Sequence, residues 1–197
     1  MTIKIAGSGG SIRFSGTGGR LYMPLLGGGG GGGGGAVSRT FRYYKWTFSK
    51  TKWDGTGWAG YVGVQLSEIE LMSGGTRVDY TGATALVAGA RVDGNVPRWI
   101  DGSLNPEWYE STAILGSGGS ETFWAAAWIT IDFGTSRTAD SFRFGTASGD
   151  SIPRDPVRWV LQGSDDNSSW TTIHDQSGSD ASITDTRSAW TQAFMLT

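Results

Sequence analysis

The chain has no cysteine, one histidine and five prolines among its 197 residues. Without cysteine there are no disulfides and no thiolate metal sites, so the fold must hold without covalent staples. A single histidine, His174, leaves a transition-metal centre without a ligand set. Charged residues make up only 17%, and the formal net charge is -2. No strong field therefore draws the chain to nucleic acid or to an anionic membrane. The longest apolar run, Phe123 to Ile131, is nine residues and contains Thr130. That is far too short for a membrane helix. Met1 leads into Thr-Ile-Lys-Ile without an apolar stretch of signal-peptide length, so the expectation is a protein made and assembled in the cytoplasm. What the chain has in excess is glycine, at 33 residues, and tryptophan, at ten. Ten indoles imply a sandwich core, aromatic loops, or both.

Composition separates three zones. Residues 1–26 carry a repeat: Gly7-Ser8-Gly9-Gly10-Ser11-Ile12-Arg13-Phe14 matches Gly16-Thr17-Gly18-Gly19-Arg20-Leu21-Tyr22-Met23 nine positions later. Each copy is a glycine-rich turn followed by an alternating strand. Two such strands are marginal alone in water. The expectation is an extended docking and oligomerisation arm stabilised by other chains through Ile12, Phe14, Leu21, Tyr22 and Met23. Residues 27–36 are nine consecutive glycines and Ala36. They read as a flexible linker, or as an extended bundle that only glycine lets approach closely.

Residues 37–197 are all-β in pattern. Phe41 to Phe48 is rich in aromatic strand formers. Between Tyr61 and Met72 the apolar positions run Val62, Val64, Leu66 and then switch phase to Ile69 and Leu71, which predicts a bulge or kink near Ser67. Trp128 to Phe133 alternates, as does Ser141 to Thr146, and Trp190 to Leu196 closes the domain. Ile152 to Asp175 reads strand, polar turn, strand, with Trp159 and Leu161 on one face and Val160 and Gln162 on the other. Asp165 and Asp166 supply turn chemistry. Short strands punctuated by Gly, Asp and Pro indicate a sandwich or jelly roll.

Several motifs appear in a familiar order. They are Phe41-Arg42-Tyr43-Tyr44-Lys45-Trp46, Val64 to Leu71 with its Leu-Ser-Glu-Ile-Glu-Leu core, Val92-Asp93-Gly94-Asn95-Val96-Pro97-Arg98-Trp99, Trp128 to Gly134, and Arg154-Asp155-Pro156 through Trp170. Together they resemble discoidin-like (coagulation-factor type C, galactose-binding-like) domains, in wording closest to the bacterial and phage branch. The resemblance implies an all-β, discoidin-like jelly-roll β-sandwich that binds sugars, lipids or proteins through its loops and performs no chemistry. In many members the Asp93 loop helps hold a structural calcium. Here it is one residue shorter than usual, with Pro97 in place of a polar residue, which weakens the match; Asp93 is either a candidate calcium ligand or, with Gly94, simply part of a turn, and no cofactor is required. Lys50 to Gly60 and Gly102 to Phe123 look like insertions.

The candidate recognition residues are Trp53, Trp58, Trp108, Tyr109 and Trp124, with Arg98 nearby. A flat ring stacks on the apolar face of a sugar, and neighbouring polar groups bond its hydroxyls; the same rings suit an oligomer interface equally well. Trp46, Trp128, Trp159 and Trp170 fall on strands and are expected in the core. Glu68 and Glu70 share one strand face, the minimal requirement for a glycosidase pair, but read as exposed strand charges. His174 reads as a polar strand-end residue. Gly55-x-Gly57-x-x-Gly60 lacks the following helix that a dinucleotide site needs. Asn167-Ser168-Ser169 is a formal glycosylation sequon without a secretion signal.

The expected function is a phage virion protein of a tail, fibre or baseplate, located in the virion. The arm docks it to other virion proteins and the domain contacts a host-surface glycan, as a homo-oligomer (a trimer if it is a fibre). A structural decoration protein of capsid or tail is the alternative, and a stand-alone bacterial carbohydrate-binding module a weaker one.

Overall fold

The computed structural model describes residues 36–53, 64–87, 99–104, 128–148 and 152–197. Among them, strands β1 (Arg39–Thr51), β2 (Leu66–Ser73), β3 (Thr76–Arg77), β4 (Thr84–Val87), β5 (Trp128–Ala139), β6 (Ser141–Thr146), β7 (Pro156–Ser164), β8 (Thr171–Asp175) and β9 (Phe194–Met195) form two antiparallel sheets. One sheet has the order β4-β5-β1-β7-β8 and the other β3-β2-β6-β9. There is no α-helix among the described residues; a 3₁₀ turn spans Ile152–Arg154.

The sheets face each other across an aromatic interior. Tyr44, Trp46 and Phe48 of β1 alternate inward, as do Ile129 and Ile131 of β5 and Trp159 and Leu161 of β7, and all are buried. From the opposite sheet come Ile69, Leu71, Phe142 and Phe144. The Trp46 ring meets Phe142 at 5.8 Å and Trp159 meets Phe144 at 5.1 Å, both edge to face. Edge-to-face packing places the positive ring edge on the negative face and adds to the area buried. The burial of each such ring contributes about 1.5–3 kcal/mol.

The phase switch in β2 is a bulge at the expected place. Leu66 lies opposite Thr146 but Glu68 opposite Gly145, so Ser67 is the extra residue, and its hydroxyl donates to the Thr146 carbonyl at 3.1 Å. The bulge keeps Leu66, Ile69 and Leu71 all in the core. Past it, the free edge of β2 is closed by Tyr80. Its hydroxyl accepts from the Leu71 N–H at 2.7 Å and donates to the Ile69 carbonyl at 3.1 Å. An edge capped this way has no unpaired ladder to offer at that point. Burial pushes the Tyr80 phenol well above its ordinary range.

The hairpin of β7 and β8 also follows the sequence. Trp159 and Leu161 are buried, Val160 and Gln162 half-buried, and the Asp166 carboxylate collects the N–H groups of Ser168 and Ser169 at 2.8 and 2.7 Å. Those bonds hold its carboxyl below the usual carboxylate range.

The registers show where each connection leaves. Thr51 of β1 lies opposite Pro156 of β7, Thr47 opposite Trp128, Val87 opposite Ile129, and Leu66 opposite Thr146. The stretches 52–65, 88–127 and 147–155 therefore all join strands at one end of the sandwich. At the other end Gly74 and Gly75, both at positive φ, turn β2 into β3, and Asp140 alone joins β5 to β6. Ala36 and Thr197 belong to that short-turn end: the Val37 N–H donates to the Leu196 carbonyl at 3.3 Å, and Leu196 donates to Asp140 at 2.9 Å.

Candidate functional site

The end of the sandwich with the long connections is tied by a buried anion. The Asp155 side chain is fully buried between Lys52 and Arg187. Arg187 grips it with two parallel bonds of 2.9 and 2.6 Å, and the Lys52 ammonium lies at 3.1 Å. Bidentate guanidinium–carboxylate pairing is the strong and directional form of such a bond. Lys52 also donates to the Ile183 carbonyl and to Asp185, at 2.8 and 2.7 Å. Main-chain bonds add to the tie: Lys52 N–H to the Asp155 carbonyl at 3.0 Å, Gln65 N–H to the Arg154 carbonyl at 3.1 Å. Three chain segments are thus fixed where 52–65 and 147–155 leave the sheets. Trp53, next in the chain, is half-buried and packs on the margin of the core.

A second ionic cluster lies on the outer face of β2. Glu68 and Glu70, expected as exposed strand charges, are both buried. Arg77 reaches Glu68 at 3.1 Å and Glu70 at 3.5 Å, and Arg143 pairs with the other oxygen of Glu70. The cover is the segment 99–104. The Gly102 N–H donates to Glu68 at 3.0 Å, and Arg77 donates to the Ile100 carbonyl at 2.8 Å. Gly145 makes this possible, because a Cβ there would sit 2.4 Å from Leu104 Cδ2. Desolvation outweighs the bonds from Gly102 and Arg77 and pushes the Glu68 carboxyl up to about 8. Strand alternation placed both glutamates on one face, but it could not say what lies on top of that face.

The remaining expectations divide plainly. Trp46 and Trp159 are in the core, but Trp128 and Trp170 are half-buried on the outer face of the five-stranded sheet. Trp170 instead stands against Lys45, whose ammonium is 4.0 Å from its ring centroid. His174 is next to last in β8, at the strand end as expected. It lies opposite Leu161, faces the interior, and meets Phe142 edge-on at 5.1 Å, with Nδ1 2.8 Å from the Met195 carbonyl. A register shift between Leu161 and Gln162 turns it inward. Trp58, Arg98, Trp108, Tyr109 and Trp124, the calcium candidate Asp93, and the arm residues Ile12, Phe14, Leu21, Tyr22 and Met23 lie outside the described residues. Among the described residues no group of three or more His, Asp or Glu is placed to hold a metal ion. Nor does any helix among them have the length and apolarity to cross a membrane.

No family model, curated protein or solved structure matches the chain. The class that the fold of the described residues defines is an all-β protein of two antiparallel sheets.

Proposed function

We propose that the chain is a bacteriophage virion protein of a tail, fibre or baseplate whose domain is a discoidin-like jelly roll that binds a host-surface carbohydrate. The observation that carries this reading is the two-ended layout of the sandwich. All the long connections leave at one end, and the chain enters from residue 36 at the other. Two of those connections hold Trp58, Arg98, Trp108, Tyr109 and Trp124. Trp53 sits at the root of one of them. Loops on a rigid scaffold are where such folds place recognition. Many copies on one particle convert weak single-site sugar affinity into firm attachment.

The test uses the full-length chain against extracted surface polysaccharides of candidate hosts, with the triple variant Trp53→Ala, Trp58→Ala, Trp108→Ala beside it. Retention by the parent and loss by a variant that still unfolds cooperatively is the expected result. Absence of retention on any host polysaccharide, together with particles that fail to assemble with the variant, would instead make the chain a structural decoration protein.

A further inference from the structure

Each lysine and arginine among the described residues meets a carboxylate, a side-chain amide or a main-chain carbonyl, with one exception. The exception is Lys45, in the middle of the central strand of the five-stranded sheet. Among the described residues its ammonium has only the ring of Trp170 as a partner, at 4.0 Å. Burial lowers the affinity of this amine for its proton, so the charge is held in surroundings that solvate it poorly. An opposite charge brought to it would gain more than at an open surface.

The neighbours of Lys45 are set by register. Thr130 stands directly across on β5 and Gln162 directly across on β7, with Thr172 of β8 beyond Gln162. Cross-strand neighbours lie about 5 Å apart. Tyr43 is two residues along on the same outward face, about 7 Å away. One face of its ring carries the Arg42 guanidinium at 4.7 Å, and that cation is already neutralised by two bonds to Asp132 at 2.8 and 2.9 Å. The outer face thus offers two aromatic rings, an amide and a hydroxyl around one uncompensated ammonium.

We propose that this face is a binding site for an acidic sugar, in which a uronate carboxylate pairs with Lys45 while the sugar's apolar face rests on Trp170 or Tyr43. A single ammonium matches the single charge of a carboxylate; a phosphate dianion calls for more cations than this face provides. Gln162 and Thr172 are placed to bond ring hydroxyls. The inference rests on the carbohydrate-binding reading above but concerns a different surface, the flat of the sheet and not the loop end.

The experiment is calorimetry of the full-length chain with galacturonate, glucuronate and mannuronate hexamers, their methyl-esterified forms, and mannose 6-phosphate. At least one uronate hexamer is expected to bind about tenfold or more tightly than its ester, as a bond to a charged group implies. Lys45→Met removes the charge at similar side-chain length and is expected to abolish that discrimination without moving the thermal midpoint. Lys45→Arg is expected to preserve it. If host polysaccharide binds the chain but Lys45→Met binds equally well, or only the phosphorylated sugar responds to the substitution, the acidic-sugar site is wrong and the loop-end reading stands. If no glycan binds at all, both fall.

Discussion

Gly163 lies opposite Tyr44, where the ring of Phe41 rests against the chain, and a Cβ there would fall 2.1 Å from Phe41 Cδ2. No side chain fits unless the ring moves, and the ring is held edge-on against Tyr44 at 6.2 Å. Gly163→Ala is therefore expected to cost about 1–3 kcal/mol through overpacking. Urea unfolding should show a lower midpoint at unchanged slope. Adding Phe41→Ala should recover part of the loss, since residues in contact do not add. Glu68 makes a different prediction. Its folded carboxyl titrates near 8 because burial opposes its charge, whereas an unfolded glutamate titrates at about 4.3. Between those values the folded state binds more protons, so this group's contribution is whole below about pH 4.3 and is lost as pH rises through about 8. Asp132 and Asp180 lie below the usual carboxylate range, through bonds from Arg42 and from Lys50 and Arg158, and so titrate outside that window. Unfolding at pH 5, 6.5 and 8 should show a decline in the parent that is absent in Glu68→Gln. Parallel profiles would mean that the carboxylate is fully ionised throughout.

At the level of elements, the tie around Asp155 joins the start of β7 to the end of β1 and to the 183–187 stretch. Removing the carboxylate would leave Lys52 and Arg187 without their shared partner in a buried site. Asp155→Ala is expected to cost about 3–5 kcal/mol, as for other broken buried pairs, and to be read by the same urea titration. Removal of Lys50, whose partner Asp180 is half-exposed, should cost no more than about 1 kcal/mol. The elements themselves were largely legible in the sequence. The bulge at Ser67 followed from the switch between Leu66 and Ile69, and the hairpin from the alternation of Trp159 and Leu161 around an Asp-rich turn. Period-2 patterning reports which side chains share a face, and that is why those held. It does not report whether a second layer covers that face, so Glu68 and Glu70 looked exposed until the 99–104 segment was seen upon them. Nor does it survive an unsuspected register shift, and one such shift turned His174 inward. Trp170 stands outside because it shares the outward phase of Thr172, opposite to that of the buried Ile173, and there its ring meets Lys45.

For the whole molecule, every core side chain among the described residues lies between Tyr44 and Leu196. The ends of this unit are pinned to each other, with the Arg39 guanidinium on the Thr197 carbonyl and the Val37 N–H on Leu196. Stability that arises inside one stretch of chain should not depend on what precedes it. A chain starting at Ala36 is therefore expected to unfold at a midpoint within about 2 °C of the full-length protein, a shift smaller than that produced by 1 kcal/mol in a domain of this size. If residues 1–26 are a docking arm, the same truncation should change the oligomeric state while leaving the midpoint alone. Sedimentation and thermal unfolding of both chains separate the two effects. A large fall in the midpoint would mean that the leader contributes to the sandwich itself, and the division between a mooring segment and a self-sufficient recognition domain would have to be abandoned.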